Sequence, residues 1–338
     1  MTTSAEVTAA LLLLERLGLT PEQLIDSAES RPIPTFSTYI PTVIESMAPT
    51  TLRVYGPYLR RIQQTWPDNR LDEPTTSQLR CLADETGKNA MIRRNSRGGR
   101  SATENLIAAA RFIYRRAEDD GLIRPENNPA RRVAKPRRVP STRRALANHQ
   151  LAEIIRVAAT TGNDPQLDAL LLRFHIETAC RRCGALSLRP SDLDVEQCLV
   201  FLREKGSAVR WQPVSPTLMR ALLEHIAERH RNAAIESEPL FRRRSGRPIT
   251  RRRYDSLWNR IGQHLEWVER QQITAHWLRH TTLTWVERNY GYAIARAYAG
   301  HTEPDGRSGQ TATYIRASLQ EVCYALAAMT GEPHPLAA

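Results

Sequence analysis

The sequence predicts a mainly helical protein with one small β-hairpin, an α+β fold in two domains. Three observations carry this. Apolar residues recur near a 3.6-residue period through most of the chain. One segment, Cys198 to Val214, reads instead as strand, turn and return strand. A proline- and arginine-rich run over 129–146 separates two helical stretches. At 338 residues, with 41% hydrophobic residues, the chain can bury two cores of its own.

Residues 1–34 form an N-terminal helical segment. Leu11 to Leu14 and Leu17 make an apolar stripe, and Thr20-Pro21-Glu22 is a helix start. It reads as a small cap on a neighbouring element or another protomer. The first domain spans 35–128 and is wholly helical. Helices are expected from Pro41 to Met47, Thr50 to Trp66 and Thr76 to Thr86. A last helix ends near Asp120, with Ser101 and Glu104 as a capping box at its start. Between the last two lies Arg93-Arg94-Asn95-Ser96-Arg97-Gly98-Gly99-Arg100, a basic glycine-bearing loop suited to a phosphate backbone. The plainer alternative is a solvated turn.

The linker over 129–146 follows Asn127-Asn128. It carries Arg131, Arg132, Lys135, Arg137, Arg138, Arg143 and Arg144, with no acid among them. Such a strand can lie along a polyanion and join domains on opposite sides of it. The second domain spans 147–330, with 331–338 as a loose tail. It opens with a helix over Ala147 to Ala158. A long helix capped by Asp164 then runs from Pro165 to Leu186, carrying Arg181-Arg182 on an apolar body. Arginine in such a place needs a partner. After the hairpin come a helix over 216–234 and the basic run Arg242-Arg243-Arg244, read as backbone contacts without sequence readout. Helices from Tyr254 to Trp267, from His276 onward and from Leu319 to Met329 complete the chain.

Net charge is +12 and the isoelectric point near 9.9, which argues for a polyanionic partner, usually nucleic acid. No long uncharged apolar run or lipid-anchor motif favours a membrane. The N-terminal apolar run carries Glu6, Glu15 and Arg16, unlike a signal peptide, so a cytoplasmic, nucleoid-associated protein is expected. Five cysteines do not suggest a disulfide framework, and the lone Cys180-x-x-Cys183 lacks a second ligand pair for zinc.

The densest chemistry lies in His276-Trp277-Leu278-Arg279-His280, Gly300-His301 and Tyr314. Three of these histidines come from only nine in the chain. Arginine and histidine donors suit the charge that spreads over a phosphodiester in its transition state. A tyrosine hydroxyl can be the nucleophile that splits one displacement into two. No acidic cluster accompanies the set, so two-metal chemistry fits poorly, and no metal or cofactor is expected.

This stretch resembles the tyrosine recombinase (phage integrase) family, which writes His-x-x-Arg, then Gly-His, then a tyrosine near the C-terminus. Thr178-Ala179-Cys180-Arg181-Arg182-Cys183-Gly184-Ala185-Leu186 is similar to the family's Thr-Gly-Leu-Arg-x-x-Glu-Leu box, and Glu204-Lys205-Gly206-Ser207 to its hairpin turn. The resemblance covers about 35–330. It implies a helical core-binding domain that clamps DNA, followed by a catalytic domain. Arg181 and Arg279 would contact the scissile phosphate, and His301 would donate to it. His276 would orient the phosphate or take the tyrosine proton. Lys205 would protonate the leaving 5′ oxygen, and Tyr314 would attack. Two departures stand out. Gly184 replaces the family's usual acid, and Ala179 its usual glycine. The loop between His301 and Tyr314 is also longer than the family commonly shows.

The resemblance therefore implies a site-specific recombinase of a mobile element. It would work on double-stranded DNA with inverted half-sites as a homotetramer, with accessory DNA-bending or directionality proteins as further partners. Two alternatives stay open: an inactive DNA-binding protein on this fold, for which Gly184 is the best argument, and an enzyme of the type IB topoisomerase or telomere-resolving kind.

Overall fold

The computed structural model describes residues 4–18, 20, 32–91, 99–137, 143–204, 208–230, 237–300 and 317–337. The chain divides into two compact units, Met1–Pro140 and Ser141–Ala338.

The first unit contains helices α1 (Ser4–Leu17), α2 (Phe36–Glu45), α3 (Pro49–Thr65), α4 (Thr76–Lys88), α5 (Arg100–Asp119) and the short α6 (Pro129–Arg132). Its core gathers Phe36, Ile40, Leu59, Ile62, Leu79, Leu106, Ile113 and Tyr114. Each large side chain buried there contributes roughly 1.5–3 kcal/mol. Thr75 and Gln78 cap α4 reciprocally: the Gln78 amide donates to the Thr75 hydroxyl at 3.2 Å, and the Thr75 amide to Gln78 Oε1 at 2.8 Å.

Two local expectations fail here. Pro41 lies inside α2 rather than in its first turn, because the chain already turns helical at Phe36. Ser101 and Glu104 form no capping box. Gly99 (φ 74°) occupies the N-cap, which puts Ser101 inside the first turn. A Cβ on Gly99 would lie 1.8 Å from the Gly87 carbonyl oxygen, so the approach of α4 to α5 requires glycine.

The second unit begins with α7 (Asn148–Thr160) and α8 (Pro165–Thr178). Asp164 caps α8 through the Leu167 amide and also binds Arg229 at 2.6 Å. The long helix expected to Leu186 stops at Thr178. Ala179 caps it in a left-handed conformation (φ 48°), Cys180 lies in irregular backbone, and α9 (Arg182–Ser187) restarts after an extended Arg181.

The strands β1 (Leu193–Asp194), β2 (Leu199–Arg203) and β3 (Val209–Pro213) form an antiparallel sheet in that order. The β2–β3 hairpin matches the expectation, whereas β1 has no signal in the sequence. Register pairs Phe201 with Trp211 and Leu202 with Arg210. Then follow α10 (Pro216–Arg229), α11 (Arg251–His264), α12 (Glu266–Gln271), α13 (Ala275–Ala299) and α14 (Leu319–Thr330). The helix expected to reach Trp267 is two, separated at Leu265. Helix α13 is broken at Gly291 (φ 84°, ψ 171°).

The main core of this unit includes Leu171, Phe174, Val200, Leu222, Phe241, Leu257 and Leu278. A second cluster packs Val322, Ala325 and Leu326 of α14 against Val286 and Tyr298 of α13. The C-terminal residues are not loose, contrary to expectation. Glu332 accepts from Arg173 at 3.1 Å and from the Thr217 amide at 3.1 Å, and His334 is buried against the Cys198 carbonyl. Among the described residues no helix is long and apolar enough to cross a membrane.

Candidate active site

The break at Ala179, the end of β2 and the first turn of α13 bring three arginines around one carboxylate. Glu204 directly follows β2, with its side chain 1% exposed. Its Oε1 accepts from the Arg181 backbone amide at 2.5 Å. Its Oε2 accepts from Arg181 Nη1 at 2.6 Å and from Arg210 Nη1 at 2.7 Å. Arg279 Nη1 stands 4.0 Å from Oε1. Burial alone would raise the Glu204 pKa. The Arg210 charge and the Arg181 amide outweigh it and hold the carboxyl below its ordinary range.

Arg279 is buried in the first turns of α13. Its guanidinium donates to the carbonyls of Ala179 and Ala299, the latter at 2.7 Å. Burial, with Arg181 and Arg210 beside it, lowers its pKa to about 10 against the pull of Glu204, so it keeps its proton at neutral pH. Arg181 is one-third exposed and thus offers an open guanidinium edge beside its ion pair. Gly300 ends α13 against Arg210: a Cβ there would meet Arg210 Nη1 at 2.4 Å, and its φ of 61° also favours glycine.

His276 opens α13 on the exposed side, three residues before Arg279. Partial burial, then the charges of Arg143, Arg279, His280 and Arg181, hold its pKa below 6.5. The lowering favours the neutral ring, which can accept a proton. His280 turns away and meets the Thr284 hydroxyl at 3.1 Å. Of the other tyrosines near the motif, Tyr298 is fully buried and donates to the Glu177 carbonyl, and the Tyr290 ring lies tilted against Trp285 with centroids 6.1 Å apart.

The structure thus gathers Arg181, Arg279 and His276, and carries the backbone to Gly300 beside them. Lys205, His301 and Tyr314 lie outside the described residues. So do Arg93, Arg94, Arg97 and Arg138 of the proposed DNA contacts. Arg100, Arg132, Lys135, Arg137, Arg143, Arg144, Arg243 and Arg244 are exposed. Arg131 is exposed too but is tied to Glu118 at 2.7 Å. Arg242 does not fit the surface role expected of it. It is 6% exposed, donates to the Gly246 and Pro239 carbonyls and pairs with Glu238, which makes it a brace for its own turn.

Glu204 and Arg210 escaped the sequence reading. The signal was present in β3, where Val209-Arg210-Trp211-Gln212 alternates with its polar residues inward and its apolar ones outward. Among the described residues no group of three His, Cys, Asp or Glu is placed to hold a metal ion.

Fold and site define a helical domain with a small hairpin sheet, in which three arginines surround one buried carboxylate and Arg181 stays partly open. Residues 144–319, just over half of the chain, match the model of the phage integrase family, and the chain belongs to that family. It is 27% identical over 194 residues to the tyrosine recombinase XerC of Oceanobacillus iheyensis, a match that covers 55% of this chain and 61% of that relative's length. With the XerC of Chlamydia trachomatis serovar L2 it shares 23% over 238 residues, 70% of this chain and 74% of the relative. Two of the solved structures that share the fold illustrate the match. One is a lambda integrase (75–356) dimer bound to a COC′ core site, with TM-score 0.60 and 14% identity, covering 80% of this chain and 96% of that one. The other is the Tn1549 transposon integrase (82–397) with circular intermediate DNA, with TM-score 0.61 and 17% identity, covering 84% and 95%.

Proposed function

We propose that this chain is a site-specific DNA recombinase that cuts and rejoins strands through a 3′-phosphotyrosyl intermediate, serving integration or excision of a mobile element. The observation that carries the reading is the convergence of Arg181 and Arg279 on one point through Glu204. Two guanidiniums aimed together neutralise the charge that builds on a phosphodiester in flight.

In this reading the Tyr314 phenol oxygen attacks phosphorus, and the bond to the 5′ oxygen breaks. Neutral His276 takes the phenol proton. Lys205 gives a proton to the leaving 5′ oxygen, and His301 donates to a non-bridging oxygen. A 5′ hydroxyl of a second duplex then reverses the step. The link conserves bond energy, so no nucleotide or metal is consumed. The roles of Lys205, His301 and Tyr314 rest on their motifs in the sequence.

The partners are double-stranded DNA with inverted half-sites and three further copies of this chain, with accessory DNA-bending or directionality proteins beside them. A solved relative, lambda integrase, is bound as a tetramer to a Holliday junction, which supports the assembly. The exposed Arg243 and Arg244 and the linker cations supply backbone contacts. A pure binding protein drew its support from Gly184, and Glu204 now stands beside that position.

The test is a nicked duplex carrying the element's own half-sites, so that cleavage releases a short strand and traps the adduct. Wild-type protein is expected to form a covalent complex and Tyr314→Phe none. Specific binding with no covalent product from wild type would sink the proposal. Relaxation of supercoils that lack any target site would favour the topoisomerase-like alternative.

A further inference from the structure

We infer that Glu204 is the positioning acid of this site, delivering from a strand end the carboxylate that the short helix after Arg181 cannot deliver from Gly184. The inference rests on the proposed strand-transfer reading for its rate arm only.

Geometry makes the two positions alternatives. A Cβ built on Gly184 would lie 3.3 Å from Glu204 Cγ and 3.4 Å from Oε1. A side chain at 184 and the Glu204 side chain therefore compete for one volume. Glycine leaves it open, and Glu204 enters from β2. The carboxylate then binds both ends of Arg181, its backbone amide and its guanidinium. It fixes Arg210 in the same contact and lies 4.0 Å from Arg279. No single neighbour in this cluster could replace it. Three guanidiniums packed around no anion would repel one another, and a buried charge without its partner is costly.

Charge arithmetic leaves room for a substrate. Three guanidinium charges less one carboxylate leave the cluster doubly positive, on the side where Arg181 stays partly exposed. A phosphodiester needs donors held in place before it arrives, since ordering them during reaction would raise the barrier. Glu204 supplies that order. It also immediately precedes Lys205, so one residue anchors the hairpin to the arginine that faces the phosphate.

Exchange of the two residues tests this. Four proteins are compared with wild type: Glu204→Gly, Gly184→Glu, the double exchange, and Glu204→Gln, which keeps the shape and removes the charge. Covalent joining on the nicked duplex is measured at saturating DNA, with DNA affinity and thermal melting alongside. Each single change at 204 is expected to slow joining roughly 100-fold or more, the scale of a lost transition-state donor. Affinity for DNA should change far less. Gly184→Glu alone should also lose rate, because two side chains then crowd one volume. The double exchange should recover most of the rate and melt about 5 °C or more above the weaker single.

A folded Glu204→Gln protein with wild-type rate would overturn the inference. So would a double exchange no better than its singles in both rate and melting. If wild type itself gives no covalent product, the strand-transfer reading fails, and the melting comparison alone decides whether the carboxylate has moved from one position to the other.

Discussion

The Arg279 guanidinium donates to the Ala299 carbonyl at 2.7 Å, twenty residues along its own helix. A straight helix would carry Ala299 about 30 Å away. The contact exists because α13 breaks at Gly291 and its last two turns fold back. The carbonyl it satisfies is one that a helix end leaves without an internal partner. The same arginine holds the Ala179 carbonyl at the break between α8 and α9. One guanidinium thus ties together the segments that carry Arg181 and Gly300.

Gly291 is the hinge of that arrangement. Its backbone (φ 84°, ψ 171°) lies where only glycine rests without strain, and nothing surrounds the place a Cβ would take. Gly291→Ala is therefore a test of backbone alone. It is expected to cost roughly 1–3 kcal/mol in denaturant unfolding. If the chain relieves the strain by straightening, Ala299 leaves Arg279 and the joining rate falls as well. A variant as stable and as active as wild type would show that the break is incidental.

Two buried histidines set an acid limit on stability. His175 is held near pKa 4 by burial, with its Nδ1 at 3.2 Å from the Cys180 carbonyl and Nε2 at 2.9 Å from the Tyr254 hydroxyl. His225 is held near 4 by burial and by Arg229. In the unfolded chain both protonate near 6.5. Between pH 6.5 and 4 unfolding therefore takes up protons. The stability they confer is complete above 6.5 and is lost as pH falls toward 4, on the order of 3 kcal/mol for each. Denaturant melts at pH 7.5, 6.5, 5.5 and 5.0 should show stability falling below 6.5. A flat profile to pH 5 would mean that neither ring is shielded as described.

The basic turn separates two kinds of arginine that the sequence cannot tell apart. Arg243→Ala and Arg244→Ala should leave folding intact and weaken DNA binding without regard to sequence. Each should lower the slope of log affinity against log salt by roughly 1. Arg242→Ala should instead destabilise the fold by roughly 1–3 kcal/mol, because the Gly246 and Pro239 carbonyls lose their donor. Fluorescence anisotropy across a salt series, beside thermal melting, separates the cases. Equal salt slopes for all three variants would contradict the assignment.

What the sequence disclosed and what it withheld have physical causes. Arg181, Arg279 and His276 stand in fixed local spacings, so their meeting could be anticipated from motifs alone. The hairpin announced itself by its turn and apolar strands. Glu204 did not, because its partner Arg181 lies 23 residues away in sequence, and Arg210 did not, because β3 turns its polar residues inward against the usual alternation. The break at Ala179 was hidden because alanine favours helix, whereas its left-handed conformation would have been signalled by glycine. The C-terminal residues looked loose for want of apolar pattern. They are held instead by Glu332 and His334, polar contacts to remote partners that local periodicity does not encode.

Arg181 and Arg279 are proposed to face one scissile phosphate. The direct measurement is the joining rate of wild type, Arg181→Ala and Arg279→Ala on two nicked duplexes, one natural and one with an uncharged methylphosphonate at the cleavage position. An arginine that neutralises phosphate charge should matter much less when the charge is absent, so the loss seen on natural DNA is expected to shrink at least tenfold on the neutral duplex. Equal losses on both duplexes would show that these arginines hold the fold together and do not meet the phosphate.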